Sequence, residues 1–282
     1  MVYELSNMSW VEAEGKFKET DLAIVPTGAT EQHGLHLGLG SDWIIAWEIA
    51  RRVGERTDAL VLPVMPYGVS GHHGEFPGVM TLEAATFQRV IYELLASLHR
   101  YGIRRVIFIN GHGGNLAALS EAAKEARDRH GMICAISMWW EALQHKPIFG
   151  QPAEAHAGYG ETALMLATRP EAVKMERAEL SPTRQVDDEI QLVRAGLAKF
   201  RDGLVRIVLK TADVSDTGSM TEALPDAVPG TTDYSPITEA FSRGLMEEIV
   251  DWTCGFVQRF RAFELPPLRV SREAAMKALK TK

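Results

Sequence analysis

The chain has 282 residues and carries 30 Lys and Arg against 37 Asp and Glu, which gives a formal net charge of −7. This acidic balance argues against nucleic acid or an anionic membrane as the main partner. With 46% hydrophobic and 24% charged residues, the composition is that of a folded globular protein and excludes the disordered and fibrous classes. Nine histidines stand beside only two cysteines, so any metal site must use imidazole and carboxylate ligands.

The two ends of the chain differ in character. The start, Met1 to Asn7, lacks the basic and apolar regions of a secretory signal, and no apolar run reaches the roughly 20 residues of a membrane span. Together with the low cysteine content, this predicts a cytoplasmic protein that does not contact membranes. Residues 1–264 contain no linker and predict a single domain, whereas 265–282 predict a C-terminal arm.

Short apolar runs alternate with longer segments of helical periodicity. The runs predict parallel strands that are covered on both faces. They are Leu22–Pro26, Ala59–Val64, Arg105–Asn110 and Met132–Met138. The periodic segments predict helices at Asp42–Gly54, Leu82–Tyr101 and Leu116–His130. The alternation predicts an α/β fold with a parallel, doubly wound sheet and helices on both of its faces.

The second half of the chain has a less regular pattern. Helices are predicted at Tyr159–Thr168, which ends before Pro170, and at Asp188–Phe200 and Pro236–Phe263. Between the last two, Thr211–Tyr234 is rich in Thr, Asp, Gly and Pro and predicts a long loop. Loops longer than about 12 to 15 residues are often lids or binding loops.

Histidines concentrate where the predicted strands end. Six of the nine lie in the segments that follow the four strands, namely His33, His36, His72, His73, His112 and His156. Ligands of open α/β sheets bind at the carboxyl ends of the strands, so these segments predict the functional site. Adjacent side chains rarely share one role, which favours His73 over His72. The other three histidines are interpreted as surface residues of helices or loops.

A carboxylate and an imidazole follow the first strand at a spacing of two. In an extended segment Glu31 and His33 point the same way, about 6.6 Å apart at about 3.3 Å per residue. This spacing could bracket two metal ions about 3.5 to 4 Å apart. Asp42 lies at the start of a predicted helix and could bridge two cations. Simple helix capping is the alternative for Asp42, with Ser41 as a further cap candidate.

The third and fourth strands are followed by further polar candidates. His112 lies among glycines, which permit sharp turns and close approach of a ligand. A phosphate-binding loop is the rival interpretation, but neither glycine-rich fingerprint occurs in the chain. His156 and Glu161 flank a predicted helix start and need not share a face, so they are predicted to have different roles. Trp140, at the end of the fourth strand, is a candidate wall of the substrate pocket, although a core or interface position is the commoner use of tryptophan.

Four motifs in order resemble the creatininase (creatinine amidohydrolase) family, over most of residues 5 to 260. The longest is Gly28-Ala-Thr-Glu-Gln-His-Gly-Leu-His-Leu-Gly-Leu-Gly-Ser-Asp42. The others are Ser70-x-x-His73-x-x-Phe76-Pro-Gly78, Asn110-Gly-His-Gly-Gly-Asn115 and His156-Ala-Gly-x-x-Glu161-Thr162. The resemblance implies a three-layer αβα hydrolase with two divalent ions per chain, commonly zinc, manganese or iron. It also implies a homo-oligomer, often a hexamer.

The resemblance implies roles for single residues as well. Glu31, Asp42 and His112 resemble the ligands of one ion, and His33, Asp42 and Glu161 those of the other, so that Asp42 bridges. Ser70, His73, Gly113, Gly114 and Trp140 are assigned to substrate binding. Creatininase itself has a bulky residue and a glutamate ligand where this chain has the two glycines. This departure argues against creatinine as substrate and moves the ligand role to Glu161. Further departures, Trp43 and Val79, could reshape the pocket.

These motifs predict metal-dependent hydrolysis of a small cyclic amide or related carbonyl compound by attack of a metal-bridging hydroxide. His156 is the candidate proton shuttle because the unperturbed imidazole pKa is near neutrality. Backbone N–H groups near Gly113 and Gly114 would stabilise the oxyanion. Two alternatives stay open: ring opening of an oxidised cyclic polyol (an inosose-type ketone), and a non-catalytic metabolite-binding protein with the same fold. A nucleotide-dependent oxidoreductase is disfavoured by the missing glycine fingerprint.

Overall fold

The structure is a computed structural model that describes residues 3–143, 156–178, 183–185, 187–194, 196–220, 234 and 237–264. The predicted arm at 265–282, residues 221–233 of the predicted loop, and His145 lie outside these described residues.

Four parallel strands form the central sheet. They are β1 (Leu22–Thr27), β2 (Leu60–Val61), β3 (Arg105–Asn110) and β4 (Ile133–Met138), in the spatial order β2-β1-β3-β4. Strand β1 pairs with strand β3 over six positions, from Leu22 opposite Arg105 to Thr27 opposite Asn110. All four predicted strands are present. The second is shorter than predicted because Pro63 has no N–H group to donate to a neighbouring strand.

Helices cover both faces of this sheet. They are α1 (Trp10–Glu19), α2 (Ser41–Thr57), α3 (Ala84–Arg100), α4 (Leu116–His130), α5 (Tyr159–Thr168), α6 (Thr211–Val214) and α7 (Glu239–Arg261). Alternate side chains of each strand point to opposite faces. Leu22 and Ile24 therefore pack with α2, α5 and α7, whereas Ala23 and Val25 pack with α3 and α4. The predicted three-layer αβα sandwich is confirmed.

One predicted helix is wrong. Residues 188–200 contain two strands, β5 (Ile190–Arg194) and β6 (Leu197–Phe200), which form an antiparallel sheet with β7 (Gly203–Arg206). Gly196 and Arg201 adopt positive φ angles of 75° and 51°, which permit the chain to reverse direction. Leu192 and Ala198 are buried on one face of the sheet, against Val214 and Met220. The short apolar segment therefore follows a period of two instead of 3.6.

Helix α1 was absent from the sequence-based prediction, although it carries a clear signal. Ser9 and Glu12 form a capping box, in which each side chain binds the backbone N–H of the other residue. Among the described residues, no helix has the length and apolar character needed to cross a membrane.

The sheet order creates a crevice at the site end of the molecule. The chain leaves β1 towards β2 on one side and returns to β3 on the other, so the segments after β1 and β3 diverge to opposite faces. Ligands bind at such a switch point in open α/β sheets. Thr27 and Asn110 end these two strands side by side, and the Thr27 hydroxyl donates to Asn110 Oδ1 at 3.0 Å.

Candidate metal centre

Helix α2 begins directly over the carboxyl ends of β1 and β3. A Cβ atom at Gly111 would lie 2.1 Å from the Asp42 carbonyl oxygen, so only glycine permits this approach of the two backbones. Helix α2 starts at Ser41 after Gly40, and no side chain caps it. The predicted capping by Ser41 is therefore wrong, since its hydroxyl donates to the Gly38 carbonyl instead. The Asp42 carboxylate is free to enter the crevice.

Asp42 lies between two buried histidines. Its Oδ1 is 2.8 Å from His33 Nε2, and its Oδ2 is 3.1 Å from His112 Nδ1. His112 Nδ1 is also 3.2 Å from Glu31 Oε1. All four residues are at most 4% exposed. Two carboxylates and two imidazoles from the two strand ends and from α2 thus converge on one small volume.

The outer nitrogen of each histidine is held by a backbone carbonyl. His112 Nε2 donates to the Val69 carbonyl at 3.0 Å, and His33 Nδ1 donates to the Glu31 carbonyl at 3.2 Å. Each ring therefore carries a proton on its outer nitrogen. When such a ring loses its second proton, the lone pair is on His112 Nδ1 or His33 Nε2 and faces the crevice, as in the histidine ligands of metal sites.

Helix α5 adds Glu161, and the segment before it adds His156. Glu161 Oε1 lies 3.8 Å from His33 Nε2, while its Oε2 accepts from the Ala157 N–H at 2.6 Å. The His156 ring stacks at 4.6 Å from that of His33, and its Nδ1 is 4.0 Å from Glu31 Oε1. His156 and Glu161, which were predicted to follow the fourth strand, thus lie beside Glu31 and His33, which follow the first.

Burial and mutual charge set the ionisation of the cluster. Burial by itself would lower the pKa of His33, but Asp42 and Glu161 raise it to about 10. Burial likewise opposes protonation of His112, whose pKa nonetheless rises well above its ordinary value because of Glu31 and Asp42. For Glu161, burial raises the pKa to about 7. Burial and the neighbouring His33 lower the pKa of His156 to about 4, so that ring is neutral at pH 7.

The donor set fits a divalent cation. Glu31 Oε2 and Asp42 Oδ2 are buried without a hydrogen-bond partner among the described residues, and such unsatisfied groups are costly. Ligand atoms lie within 4.8 Å of one another in four sets of three residues. These sets are Glu31 with His33 and Asp42, His33 with His156 and Glu161, Glu31 with His73 and His156, and Glu31 with His72 and His112. Nitrogen and carboxylate ligands of this kind suit zinc, manganese or iron.

The residues assigned to substrate binding have different surroundings. Ser70 is buried, with its hydroxyl 3.4 Å from His112 Nε2, and His73 Nε2 lies 3.3 Å from Glu31 Oε1. Gly113 is exposed and begins a short 3₁₀ turn, whereas a Cβ atom at Gly114 would lie 2.4 Å from His112 Nε2, so only glycine fits there. Trp140 is half-buried and makes an edge contact with Trp139 at 5.4 Å. Ser70, His73 and Gly114 thus lie against the cluster, while a substrate contact of Trp140 stays a prediction.

Sequence reasoning gave no role to three residues that lie around the candidate site. Gln32 lies 2.8 Å from His73 and 2.9 Å from His156 through its amide nitrogen. The hydroxyl of Thr211, in the predicted loop, lies 2.8 Å from His73 Nδ1. His36 is buried and its Nε2 donates to the Thr162 hydroxyl at 2.9 Å. The six strand-end histidines included His36 but gave it no role, and nothing in the local pattern linked Thr211 to a residue so distant in sequence.

Comparison with known proteins identifies the family of this chain. The family model for creatininase, described as creatinine amidohydrolase, matches residues 6–257. The chain belongs to the creatininase family. This confirms the resemblance found in the four sequence motifs and establishes the protein as a hydrolase of this type.

Relatives in the creatininase family differ in their activities. The chain is 32% identical to the mycofactocin precursor peptide peptidase of Mycolicibacterium smegmatis over 62% of its own length and 69% of the relative's. It is 31% identical to the creatinine amidohydrolase of Pseudomonas putida over 61% and 74% of the two chains. Identity to the 3-dehydro-scyllo-inosose hydrolase of Thermotoga maritima is 26%, over 92% and 85%. A crystal structure of creatinine amidohydrolase superposes with a TM-score of 0.72 at 25% identity, covering 94% of this chain and 98% of that one.

Proposed function

We propose that this protein is a divalent-metal-dependent hydrolase of a small cyclic amide or a related carbonyl compound. The observation that carries the proposal is the buried set of Glu31, Asp42 and Glu161 around His33 and His112, with two carboxylate oxygens that lack a hydrogen-bond partner among the described residues. Buried acidic side chains of this kind need compensating positive charge, which protonated His33 and His112 supply without metal and which divalent cations would supply in their place.

Two ions are proposed, with Asp42 between them. Glu31, Asp42 and His112 would hold the first ion, and His33, Asp42 and Glu161 the second. When bound, such ions lower the pKa of a coordinated water and polarise a substrate carbonyl. The solved relatives include a mutant creatininase of Zn-Zn type and a manganese form of creatininase. Zinc or manganese is therefore the first choice for reconstitution.

His156 is the proposed proton-transfer residue. Its Nε2 donates to the Gln32 carbonyl at 2.7 Å, which leaves Nδ1 of the neutral ring unprotonated, 4.0 Å from Glu31 Oε1. The low pKa of this ring keeps it neutral, so Nδ1 can accept a proton from the nucleophilic water and pass it to the leaving group. Gly113 lies at the exposed end of β3, where its N–H group is proposed to face the developing oxyanion.

The substrate class has two candidates. The mycofactocin peptidase and the creatinine amidohydrolase among the relatives are named for cleaving a peptide and an amide, which supports C–N bond hydrolysis. Ring opening of an inosose-type ketone is the second candidate, because the inosose hydrolase matches 92% of this chain, against about 62% for the other two.

A hydrolysis screen tests both candidates. Lactams, cyclic ureides, formamides and inosose-type ketones are incubated with protein loaded with Zn²⁺ or Mn²⁺, beside the variants Glu31→Ala and His112→Ala. We expect turnover of one class and loss of both metal and activity in the two variants. The matched control is His99→Ala, which removes a histidine that stacks on His130 and lies outside the cluster. Less than one bound divalent ion per chain, with no effect of chelators on stability, would instead favour a metabolite-binding protein.

The remaining assignments concern the whole protein. We infer a homo-oligomer, with the hexamer as the first state to test by light scattering. A cytoplasmic location is inferred from the two free cysteines, Cys134 and Cys254. The division into a metallohydrolase domain, 1–264, and an arm, 265–282, stays a prediction that limited proteolysis can test.

A further inference from the structure

The side chain of Gln32 is fixed in one orientation by two backbone groups. Its Oε1 accepts from the Gly34 N–H at 2.9 Å, and its Nε2 donates to the Gly218 carbonyl at 3.2 Å. A flipped amide would set donor against donor at Gly34 and acceptor against acceptor at Gly218. The orientation of this amide therefore follows from partners that cannot exchange roles.

This orientation determines which nitrogen of His73 carries the proton. Gln32 Nε2 lies 2.8 Å from His73 Nδ1 and can only donate, so Nδ1 must accept. The Thr211 hydroxyl lies at the same distance, 2.8 Å, from this nitrogen, and a hydroxyl can adapt to either tautomer. The ring proton is therefore on Nε2, which lies 3.3 Å from Glu31 Oε1. His73 directs an N–H group, and not a lone pair, at the carboxylate.

The segment after α6 is built around Gln32. Gly218 has a φ angle of 84°, and a Cβ atom there would lie 1.8 Å from Gln32 Oε1. The Gly218 N–H donates to the Ser215 hydroxyl at 3.0 Å, and that hydroxyl donates to the Ser219 carbonyl at 2.6 Å. This close turn holds the Gly218 carbonyl, and hence the amide, in place.

We propose that His73 is a positioning residue for Glu31, with its proton held on Nε2 by Gln32, and not a residue that binds substrate or metal. The Nε2–H group of His73, 3.3 Å from Glu31 Oε1, holds this oxygen on the side of His112 and leaves Oε2, which has no hydrogen-bond partner among the described residues, for an ion. Groups outside the ligand set commonly orient carboxylate ligands in this way. The inference rests on the proposed function in one respect, which is that Glu31 binds a metal ion.

Two substitutions of Gln32 separate this role from simple packing. Gln32→Glu keeps the shape but turns the donor into an acceptor, so the proton of His73 moves to Nδ1 and a lone pair faces Glu31. Gln32→Met keeps most of the volume and removes the donor. Thr211→Val is the matched control, because Gln32 still donates to Nδ1 in that variant.

The test combines tautomer assignment with zinc affinity. Proton–nitrogen correlation spectra of protein labelled at histidine nitrogens distinguish the two neutral tautomers in metal-free and zinc-loaded protein. We expect Nε2–H for His73 in the wild type and in Thr211→Val, and Nδ1–H in Gln32→Glu. The zinc dissociation constant should rise about 10- to 100-fold in Gln32→Glu and Gln32→Met, and stay within about threefold in Thr211→Val.

The outcomes distinguish the inference from the function on which it rests. A wild-type His73 protonated on Nδ1, or a folded Gln32→Glu that binds zinc as the wild type does, would overturn the inference. If Gln32→Glu fails to fold, the wild-type tautomer and the zinc affinity of Gln32→Met decide. A wild type that binds no zinc but carries Nε2–H on His73 would overturn the proposed metal centre, and the orienting role of His73 with it.

Discussion

Glu161 should act in opposite directions on stability and on metal binding. Its carboxylate is 7% exposed, and burial raises its pKa from 4.5 to about 7. In metal-free protein at pH 7, this difference corresponds to about 3 kcal/mol of lost stability, at 1.36 kcal/mol per pKa unit. Glu161→Gln removes the ionisable group but retains an oxygen that can accept from the Ala157 N–H. We therefore expect the metal-free variant to be more stable than the wild type by about 1 to 3 kcal/mol.

The pH dependence follows from the sign of this shift. Below about pH 4.5 the carboxyl group is protonated in both the folded and the unfolded chain, so the substitution changes little. Between about pH 4.5 and 7 the unfolded chain releases the proton while the folded chain retains it, and the wild type loses stability relative to the variant. Above about pH 7 the difference stays constant.

Urea unfolding in excess chelator between pH 4 and 8 measures this difference, and titration calorimetry measures zinc affinity. The control is Glu171→Gln, since Glu171 is an exposed carboxylate whose loss should change stability by less than about 0.5 kcal/mol. The variant Glu161→Gln should bind zinc at least about tenfold more weakly. A stability difference that does not grow with pH, or an unchanged zinc affinity, would refute the reasoning.

Three further predictions concern the metal, the backbone and a thiol. Zinc at 100 times its dissociation constant should stabilise the wild type by about 2.7 kcal/mol in thermal unfolding, and should leave His112→Ala unchanged; an equal shift in both would contradict the site. Gly111→Ala should lower the free energy of unfolding by about 1 to 3 kcal/mol and abolish zinc binding, because the new Cβ atom meets the Asp42 backbone. Gly113→Ala is the control: no atom lies within 4 Å of its Cβ position, so unfolding and zinc binding should stay as in the wild type. Burial raises the pKa of Cys134 to about 12, so about one thiol in 10⁴ is ionised at pH 8 and iodoacetamide should label it only after unfolding, as peptide mass analysis would show.

Much of the fold followed from local sequence patterns. Strands β1 and β3 were predicted to within one residue, because an apolar run of five or six residues bounded by polar ones has few other uses. The segment 188–200 was assigned the wrong structure, since a short run with mixed polarity fits both periods. Its strands exist because Leu192 and Ala198 pack on Val214 and Met220, which is a contact between distant parts of the chain.

The sequence alone predicted which side chains meet at the candidate site. Glu31, His33, Asp42, His112 and Glu161 lie at strand ends and helix starts, and parallel strands bring such positions to one edge of the sheet. Only the tertiary structure decided what each side chain faces. Whether His73 binds a ligand or orients Glu31 depends on Gln32 and Gly218, which lie 186 positions apart in the chain. Hydrogen-bond direction is a property of such assembled partners, so no local pattern could encode it.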